Sequence, residues 1–326
     1  MQVHPSLNSI SAQVIFDSAV KKGVTVEVIS SRFNLFKLIY KEKFLFVKST
    51  SLPVNPQPSC AIANNKYLTK KILEAQGILM PQGWLVSTQQ EARDLILEKD
   101  IFPCVLKPAR GAHGRHVYAN IESMAEFEHL LPLVFSGHAV KNVLIEEHIS
   151  GHDYRLLVTG NKVSAVMERI PARVVGDGVN TISQLISIFN KSPLVGKKYE
   201  RPLCKIVMNG EVSRNLQKLS KNFTDVLEEG ETVFLRQNAN ISTGGTGHDV
   251  TDSVCQSVKD IAIAATKAIG MVISGVDIIY NETSKKAYVL EINDTPGIDI
   301  HHYPVAGVPR LVADDIVDNL IEQLKV

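Results

Sequence analysis

The spacing of hydrophobic residues changes repeatedly between the helical period and the strand period, which predicts a mixed α/β protein. Helical spacing marks residues 11–22, 66–76, 89–99, 123–131, 181–190, 253–269 and 313–324. Short runs rich in Val, Ile, Phe and Tyr predict strands at 24–29, 44–47, 102–108, 142–149, 153–158, 162–169, 231–236, 275–280 and 287–294. Between them we predict a turn or short helix at 33–38, a stiff proline-containing connector at 53–58, and a helical insertion with short strands at 191–232.

The last two strands are separated by a polar, turn-forming segment, residues 281–286, and therefore predict a β-hairpin. A turn centred in this segment pairs Asp277 with Glu291 and Tyr280 with Tyr288. Directly opposed side chains in a sheet lie roughly 5 Å apart at Cβ. The pattern thus brings two carboxylates together on an otherwise apolar sheet.

These two carboxylates predict a metal site. Asn293 is two residues beyond Glu291 and shares its face, because side chains alternate along a strand. Opposed like charges destabilise a sheet, whereas Mg²⁺ takes oxygen ligands and commonly uses one or two carboxylates plus substrate phosphates. We expect Asp277, Glu291 and Asn293 to bind it. The alternative is a solvent-facing hairpin end in which 293–297 is only a turn.

Composition narrows the class of protein. The 326 residues are 44% hydrophobic and 21% charged, which is typical of a globular protein and allows two domains or one with subdomains. The formal net charge of +1 gives no reason to expect a nucleic-acid or membrane partner. No signal peptide or membrane-spanning run is apparent, and the four cysteines form no CxxC pair. We therefore expect a cytoplasmic protein with reduced thiols.

A glycine-bearing segment, 111–114, follows the strand that ends at Lys107. Gly111 and Gly114 allow backbone conformations in which successive N–H groups turn towards an anion. Arg110 and Arg115 add positive charge, and Lys107 could hold nucleotide phosphates. The alternative is a simple glycine-containing hairpin tip, since the segment is not a Walker A loop.

The strand at 142–149 leaves its sheet with a row of backbone donors and acceptors, of the kind that adenine needs. Leu144 and Ile149 offer apolar walls, and Asp153 could bind ribose hydroxyls. A solvated strand end is the alternative interpretation.

Several arginines lie in or beside apolar strands: Arg155, Arg169, Arg173 and Arg236. A buried arginine needs an anion, and an acyl phosphate or phosphoryl group would suit it. Ion pairs with Glu168 or Asp177 are the alternative. The nearby segment 238–245 presents two amides, two hydroxyls and two glycines, which suits either a substrate-binding loop or an idle turn.

In their order along the chain, these motifs resemble those of ATP-grasp ligases. The general motifs are 65–67, 105–108, 145–149, Asp277 and 291–293. The chain is most similar to the ATP-grasp modules of cyanophycin synthetase and bifunctional glutathione synthetase, over about residues 60–326. The motifs that carry this closer likeness are 151–155, 168–172, 175–178, 235–245, 296–297 and His301.

The chain also departs from that pattern. Those relatives are longer and carry a second ligase or an amino-terminal module, so we expect no second amino-acid addition by this chain. Residues 1–60 look like a truncated pre-ATP-grasp unit, so the family's specificity for the acceptor substrate does not carry over to this chain. Ala112 and His113 stand where a more glycine-rich loop tip is expected.

The resemblance implies an ATP-grasp fold of two α+β subdomains that grip ATP. A small α/β unit at 1–60 would precede subdomains at 61–140, with the Gly loop as lid, and 141–326, with the metal site. It also implies an ADP-forming carboxylate–amine ligase that uses ATP and Mg²⁺, as one ion or two, with Mn²⁺ as substitute. Amino acids or short peptides would be the substrates, and a homodimer or homotetramer the assembly.

The resemblance also assigns roles to residues. It implies nucleotide binding by Lys66, Lys107, Gly111, Ala112, His113, Gly114, Glu146, Glu147, His148, Ile149 and Asp153. It implies a grip on the substrate carboxylate or acyl phosphate by Arg155, Arg169, Arg236 and Asn240. A phosphotransferase that stops after phosphoryl transfer and a non-catalytic nucleotide-binding protein are the alternative functions.

Overall fold

The computed structural model describes residues 7–111, 116–136, 140–196 and 201–325. The predicted loop residues Ala112, His113 and Gly114 lie outside the described residues. The described chain forms a mixed α/β fold with several sheets, as predicted. No helix in these ranges is both long and apolar enough to cross a membrane.

The N-terminal unit is one helix packed on a small antiparallel meander. Its elements are α1 (Ile10–Lys21), β1 (Thr25–Ser30), β2 (Leu35–Tyr40) and β3 (Lys43–Lys48), in the sheet order β1-β2-β3. The turn or short helix predicted at 33–38 is wrong, because most of that segment belongs to β2. Phe36 and Leu38 alternate into the core at the strand period, and both are fully buried.

The middle of the chain forms a four-stranded sheet covered by helices. Its elements are α2 (Gln57–Ala63), α3 (Lys66–Ala75), β4 (Gly83–Val86), α4 (Gln89–Lys99), β5 (Cys104–Pro108), β6 (Tyr118–Ile121), α5 (Met124–Phe135) and β7 (Val143–Glu147). The sheet order is β4-β7-β5-β6. The predicted proline connector is only partly right, since α2 begins within it with Pro56 as its N-cap and Pro58 in its first turn. β7 follows the predicted boundary at residue 140, yet it pairs with β4 and β5.

The rest of the chain is built on a five-stranded antiparallel sheet with the order β14-β9-β8-β15-β16. Two small sheets accompany it: β11-β12 lies within the predicted insertion, and β10-β13 joins the segments on either side of that insertion. The elements are β8 (His152–Thr159), β9 (Lys162–Ile170), β10 (Arg173–Val175), α6 (Ile182–Lys191), β11 (Val195–Gly196), β12 (Leu203–Cys204), α7 (Gly210–Lys218), β13 (Thr232–Phe234), β14 (Thr246–Asp249), α8 (Gln256–Ala268), β15 (Ile273–Asn281), β16 (Lys286–Asn293), α9 (Asp299–His302) and α10 (Val312–Lys325).

The β15–β16 hairpin has the predicted register at its functional end. Asp277 lies opposite Glu291, and Asn293 lies opposite Gly275. The register shifts by one residue immediately afterwards, so Tyr280 faces Ala287 and the predicted pairing with Tyr288 is wrong. This irregularity is a β-bulge, which increases the local twist and can redirect side chains beside a site.

The N-terminal unit shares its core with the C-terminal part of the chain. Helix α1 packs on α10, and apolar residues of β8, β9 and β15 join the same cluster. A buried side chain, Asn55, adds a polar clamp: its amide donates to the carbonyl of Ile273 (2.8 Å). Its carbonyl accepts from the N–H groups of Val272 and Ile273, each at 3.0 Å. The unit is thus fixed directly to the strand that carries Asp277.

Replacing this clamp should weaken the fold. We expect Asn55→Ala to lower the free energy of unfolding by about 2 to 4 kcal/mol, since each buried backbone group left unsatisfied costs roughly 1 to 3 kcal/mol. A denaturant titration followed by circular dichroism measures this loss. Gln90→Ala, which removes an exposed amide bonded only to Asp94, is the matched control. Equal stability of the two variants would contradict the proposed clamp.

Candidate active site

A narrow cavity lies between the four-stranded and five-stranded sheets, and we call it the first cavity. Most of the predicted site residues line it, including Lys66, Lys107, Gly111, Glu146, Glu147, His148, Ile149, Asp153, Arg169, Asn240, Asp277 and Glu291. Its volume is only about 170 Å³. Ligand pockets commonly measure about 300–1,000 Å³, and here ion-paired side chains cross the space. Nucleotide binding is therefore expected to separate some of these pairs.

Asp277 is held by two arginines. It projects from β15 with only 2% of its surface exposed. Arg155 on β8 forms a bidentate pair with it, in which Nη2 lies 3.0 Å from Oδ2. Arg169 on β9 places Nη1 3.0 Å from the same oxygen and also binds Asp153 at 2.6 Å. Strands β9, β8 and β15 are neighbours, so the sheet order itself lines up these charges.

The alternative arginine partners considered from the sequence are not the ones observed. Glu168 contacts His152 at 2.6 Å, and Asp177 accepts hydrogen bonds from Asn180. Arg155 and Arg169 instead face Asp277 and Asp153, carboxylates that line the first cavity. This arrangement keeps cationic groups beside the position where an anionic ligand would bind.

Glu291 faces a third cation. Lys66, at the start of α3, lies 2.9 Å from its carboxylate. Burial alone would raise the pKa of Glu291, but Lys66, Arg155 and Lys107 outweigh this and hold its pKa well below the ordinary value. Its side chain is still 28% exposed, because it faces a cavity. The carboxylate is therefore ionised, as a metal ligand must be.

The donor set suits a hard cation. Asp277, Glu291 and Asn293 offer only oxygen ligands, since the amide nitrogen of Asn293 donates to the carbonyl of Gly275 (3.2 Å) and leaves its oxygen for a metal. Within the ranges that the structure describes, no group of three or more His, Cys, Asp and Glu side chains forms a metal site. Two carboxylates and an amide match the partial protein shell of Mg²⁺, which substrate phosphates complete.

A lysine that the sequence analysis missed, Lys70, lies behind the first cavity and pairs with one of its lining carboxylates. Lys107 binds Glu146 at 2.5 Å, and Lys70 binds the same carboxylate at 3.2 Å. Lys70 is fully buried and also donates to the carbonyl of Pro81. Its position four residues after Lys66 on a helix was the available signal, because such residues share a face. Glu146, predicted to bind adenosine, is thus engaged by two lysines.

At the strand end that is predicted to bind adenine, two backbone donors are already used within the protein. The N–H groups of Glu147 and His148 already donate to the carbonyls of Gln82 and Pro103, each at 3.0 Å. A backbone donor for adenine would therefore have to come from Ile149, which lines the first cavity. Burial lowers the pKa of His148, which favours its neutral form.

Arg236 is the predicted site residue that lies apart. Among the described residues lining either cavity, Arg236 does not appear. It is buried and pairs with Glu211 on α7. Glu211 also accepts from Asn238 at 2.8 Å, and Asn238 lines the first cavity beside Asn240. Arg236 therefore supports the 238–240 turn through Glu211.

A second, larger cavity of about 750 Å³ adjoins the first. Arg169, Asn240 and Glu291 line both cavities. The second cavity is otherwise enclosed by Arg155, by the segment after β16 and by the N-terminal unit. That unit contributes Asn8, Ser9, Ser11, Asn34, Lys48, Ser49, Thr50 and Ser51. A ligand here would meet residues from both ends of the chain.

This architecture is that of an ATP-grasp protein. The family model of the RimK-like ATP-grasp domain matches residues 63–177 and 195–306, and the chain belongs to this family. A solved bifunctional glutathione synthetase from Pasteurella multocida is similar over 97% of this chain and 43% of its own, with 28% identity and a TM-score of 0.69.

Curated relatives agree with this assignment. The bifunctional glutathione biosynthesis protein GshAB of Clostridium perfringens is 32% identical over 95% of this chain and 41% of its own length. Cyanophycin synthetase of Trichormus variabilis is 31% identical over 95% of this chain and 35% of its length. The chain thus spans less than half the length of these relatives. The predicted ATP-grasp fold and the resemblance to both groups are confirmed.

Lys107 should be needed for nucleotide affinity. We expect Lys107→Ala to raise the Kd for ATP about tenfold or more, because charge-assisted hydrogen bonds to phosphate are among the stronger polar contacts. The fold should survive, since Lys70 still pairs with Glu146. Isothermal titration calorimetry measures the Kd, with Lys71→Ala, an exposed lysine on α3, as control. An unchanged Kd for the Lys107 variant would remove this residue from the site.

Proposed function

We propose that the chain is an ADP-forming ligase that joins a carboxylate to an amine through an acyl phosphate. The observation that carries this proposal is the wall shared by the two cavities, formed by Arg169, Asn240 and Glu291. A nucleotide in the first cavity and a carboxylate in the second would approach the same side chains from opposite sides. Membership of the RimK-like ATP-grasp family supports the same chemistry.

The reaction has two steps. A carboxylate oxygen attacks the γ-phosphorus of ATP, the bond to the β-phosphate oxygen breaks, and ADP leaves. The amine attacks in its neutral form, so a bound ammonium group first releases a proton to water. The nitrogen lone pair then attacks the acyl carbon, the carbon–oxygen bond to phosphate breaks, and the nitrogen loses a second proton. Water would hydrolyse the acyl phosphate, so the site must close. The Gly loop is the proposed lid, and Lys66 donates to the carbonyl of Gly111 at its first residue (3.0 Å).

The chain's own residues supply position and charge, which dominate phosphoryl transfer. We assign Lys66 and Lys107 to the phosphates, with both lysines exchanging their internal carboxylate partners for phosphate oxygens. Asp277, Glu291 and Asn293 would hold Mg²⁺, which when bound neutralises charge on the transferring phosphate.

The remaining side chains divide between nucleoside and substrate. We assign the 146–149 segment and Asp153 to adenosine. Arg155, Arg169 and Asn240 would grip the reacting carboxylate and the acyl phosphate, because guanidinium groups bind such oxygens bidentately. Arg236 would not touch the substrate directly, but would support the 238–240 turn through Glu211.

We further propose amino acids or short peptides as substrates, with ATP and Mg²⁺ as cofactors and Mn²⁺ as substitute, in the cytoplasm. A homodimer or homotetramer stays a prediction. A phosphate-release screen of amino acids and dipeptides in pairs tests the function. ADP formation that depends on the amine supports a ligase. ADP formation that needs only the carboxylate would favour a phosphotransferase. If no pair of substrates gives ADP, a non-catalytic nucleotide-binding protein would be favoured.

The metal assignment predicts a specific loss. Glu291→Gln should reduce ADP formation by roughly 100-fold or more, because a neutral amide binds Mg²⁺ poorly and positions the phosphates less well. A coupled ADP assay measures the rate, and circular dichroism tests whether the fold is retained. Glu282→Gln, at the exposed turn of the same hairpin, is the control. Turnover that survives Glu291→Gln, or survives chelation of Mg²⁺, would count against this site.

A further inference from the structure

The second cavity contains charges that the proposed reaction does not yet use. Its charged lining residues are Lys48, Arg155, Arg169, Glu291 and Asp299. The two arginines pair with Asp277 and Asp153, and Glu291 pairs with Lys66. Asp299, which is acidic, and Lys48, which is basic, are the charged lining residues that remain without such a pair.

Asp299 is a buried carboxylate. It is 2% exposed and begins α9, after the segment that follows the β15–β16 hairpin. Ser11 on α1 donates to its Oδ1 at 2.6 Å. No lysine or arginine of the described chain lies within ion-pair distance of it. Burial raises its pKa, which the Ser11 hydrogen bond and Arg155 oppose. A cationic ligand would stabilise its charged form.

Lys48 is the complementary charge at the edge of the same cavity. It is the last residue of β3 and is exposed, and the hydroxyl-bearing residues 49–51 follow it along the cavity wall. As far as the described ranges extend, its ammonium group has no carboxylate partner. An anionic group entering from solvent would meet Lys48 without having to displace another anion.

We propose that the second cavity binds the amine substrate as a zwitterion, with its ammonium group against Asp299 and its free carboxylate against Lys48. The amine would accordingly be an amino acid or a short peptide with an unblocked C-terminus. This inference rests on the proposed ligase function. It assigns two residues that determine which amine is accepted, and it gives the N-terminal unit a direct part in substrate selection.

The amine fits these two charges better than the activated carboxylate does. Arg169 and Asn240 at the shared wall, together with Arg155 in the second cavity, already offer the activated carboxylate its contacts. The incoming amine carries an ammonium group and needs an anion. Glu291 and Asp299 are the acidic residues among the described lining of the second cavity, and Glu291 is committed to Lys66 and the metal. Asp299 is the one that remains.

The test compares amines that differ in charge. Hydroxylamine is uncharged at neutral pH and traps the acyl phosphate as a hydroxamate, so it reports carboxylate activation without needing either residue. An amino acid carries both charges, and its α-amide keeps only the ammonium group. The carboxylate substrate is chosen beforehand from a panel of amino acids and dipeptides by hydroxamate formation with the wild-type protein.

Each variant has its own expected pattern. Asp299→Asn should raise the KM for the amino acid and for its amide roughly 10-fold to 100-fold, because a charge-assisted contact is lost. Its hydroxamate rate should stay within about twofold of wild type, since activation of the carboxylate is untouched. Lys48→Met should raise the KM for the amino acid but not for its amide. Ser11→Ala, which retains the Asp299 carboxyl group, should change KM less than Asp299→Asn does.

The failures are distinguishable. A wild-type protein that forms neither hydroxamate nor amine-dependent ADP contradicts the proposed function itself. If hydroxamate formation is normal, two results for Asp299→Asn would overturn the zwitterion proposal and leave the proposed function intact. One is an unchanged KM for the amino acid, and the other is an equal change in KM for all three amines. If a thermal melt shows that Asp299→Asn is unfolded, Lys48→Met tests the zwitterion proposal instead, because Lys48 is exposed and its replacement should leave the fold intact. In that case, equal changes in KM for the amino acid and its amide would overturn the proposal.

Discussion

Asp277 and Glu291 face one cavity from adjacent strands, and their repulsion destabilises the sheet unless nearby cations offset it. The protein offsets it with three cations from separate elements: Arg155, Arg169 and Lys66. Each of them approaches from a different strand or helix. The same pairs therefore bring β8, β9 and α3 to the hairpin and define the shape of the site.

This balance of charge suits the proposed binding of Mg²⁺ together with a nucleotide. A metal ion alone would compete with Arg155, Arg169 and Lys66 for the two carboxylates. A nucleotide alone would bring its phosphates close to Asp277 and Glu291. When both bind, the metal would pair with the carboxylates of Asp277 and Glu291, and the phosphates would pair with the cationic side chains. Every charged group would then still have a partner of opposite charge. The narrow first cavity is consistent with such an exchange, because its own ion pairs occupy it.

The N-terminal unit has a place in this arrangement despite its small size. It shares a core with α10 and the five-stranded sheet, and Asn55 fixes it to β15. Its residues line the second cavity together with Glu291 and Asn293 of the β15–β16 hairpin. Packing and the proposed substrate selection thus depend on the same contact between the two ends of the chain.

Much of the site could be predicted from the sequence because it depends on local periodicity. The alternation along β15 and β16 places Asp277 opposite Glu291 without any long-range information. The pairing of Tyr280 was wrong because a bulge leaves no clear sequence signal. Arg236 could not be assigned, since its partner Glu211 comes from the insertion, 25 residues away in the chain.

Two further features depend on tertiary packing. Lys70 resembles an ordinary surface lysine on an amphipathic helix, and its burial follows only from how α3 packs beside Glu146. The isolation of Asp299 is likewise visible only when α1 and α9 meet, because Ser11 and Asp299 are 288 residues apart. Sequence patterns predict the elements and their faces, whereas these contacts require the assembled fold.

The interdependence of metal and nucleotide can be measured directly with Mn²⁺, which has an electron paramagnetic resonance signal that weakens when the ion binds protein. The wild-type protein is titrated with Mn²⁺ in the presence and absence of saturating ADP. Exchange of ion pairs predicts weak Mn²⁺ binding by the protein alone and much tighter binding with nucleotide, beyond the affinity of Mn²⁺ for ADP in solution. Equally tight binding without nucleotide, or no binding with it, would contradict the proposed exchange.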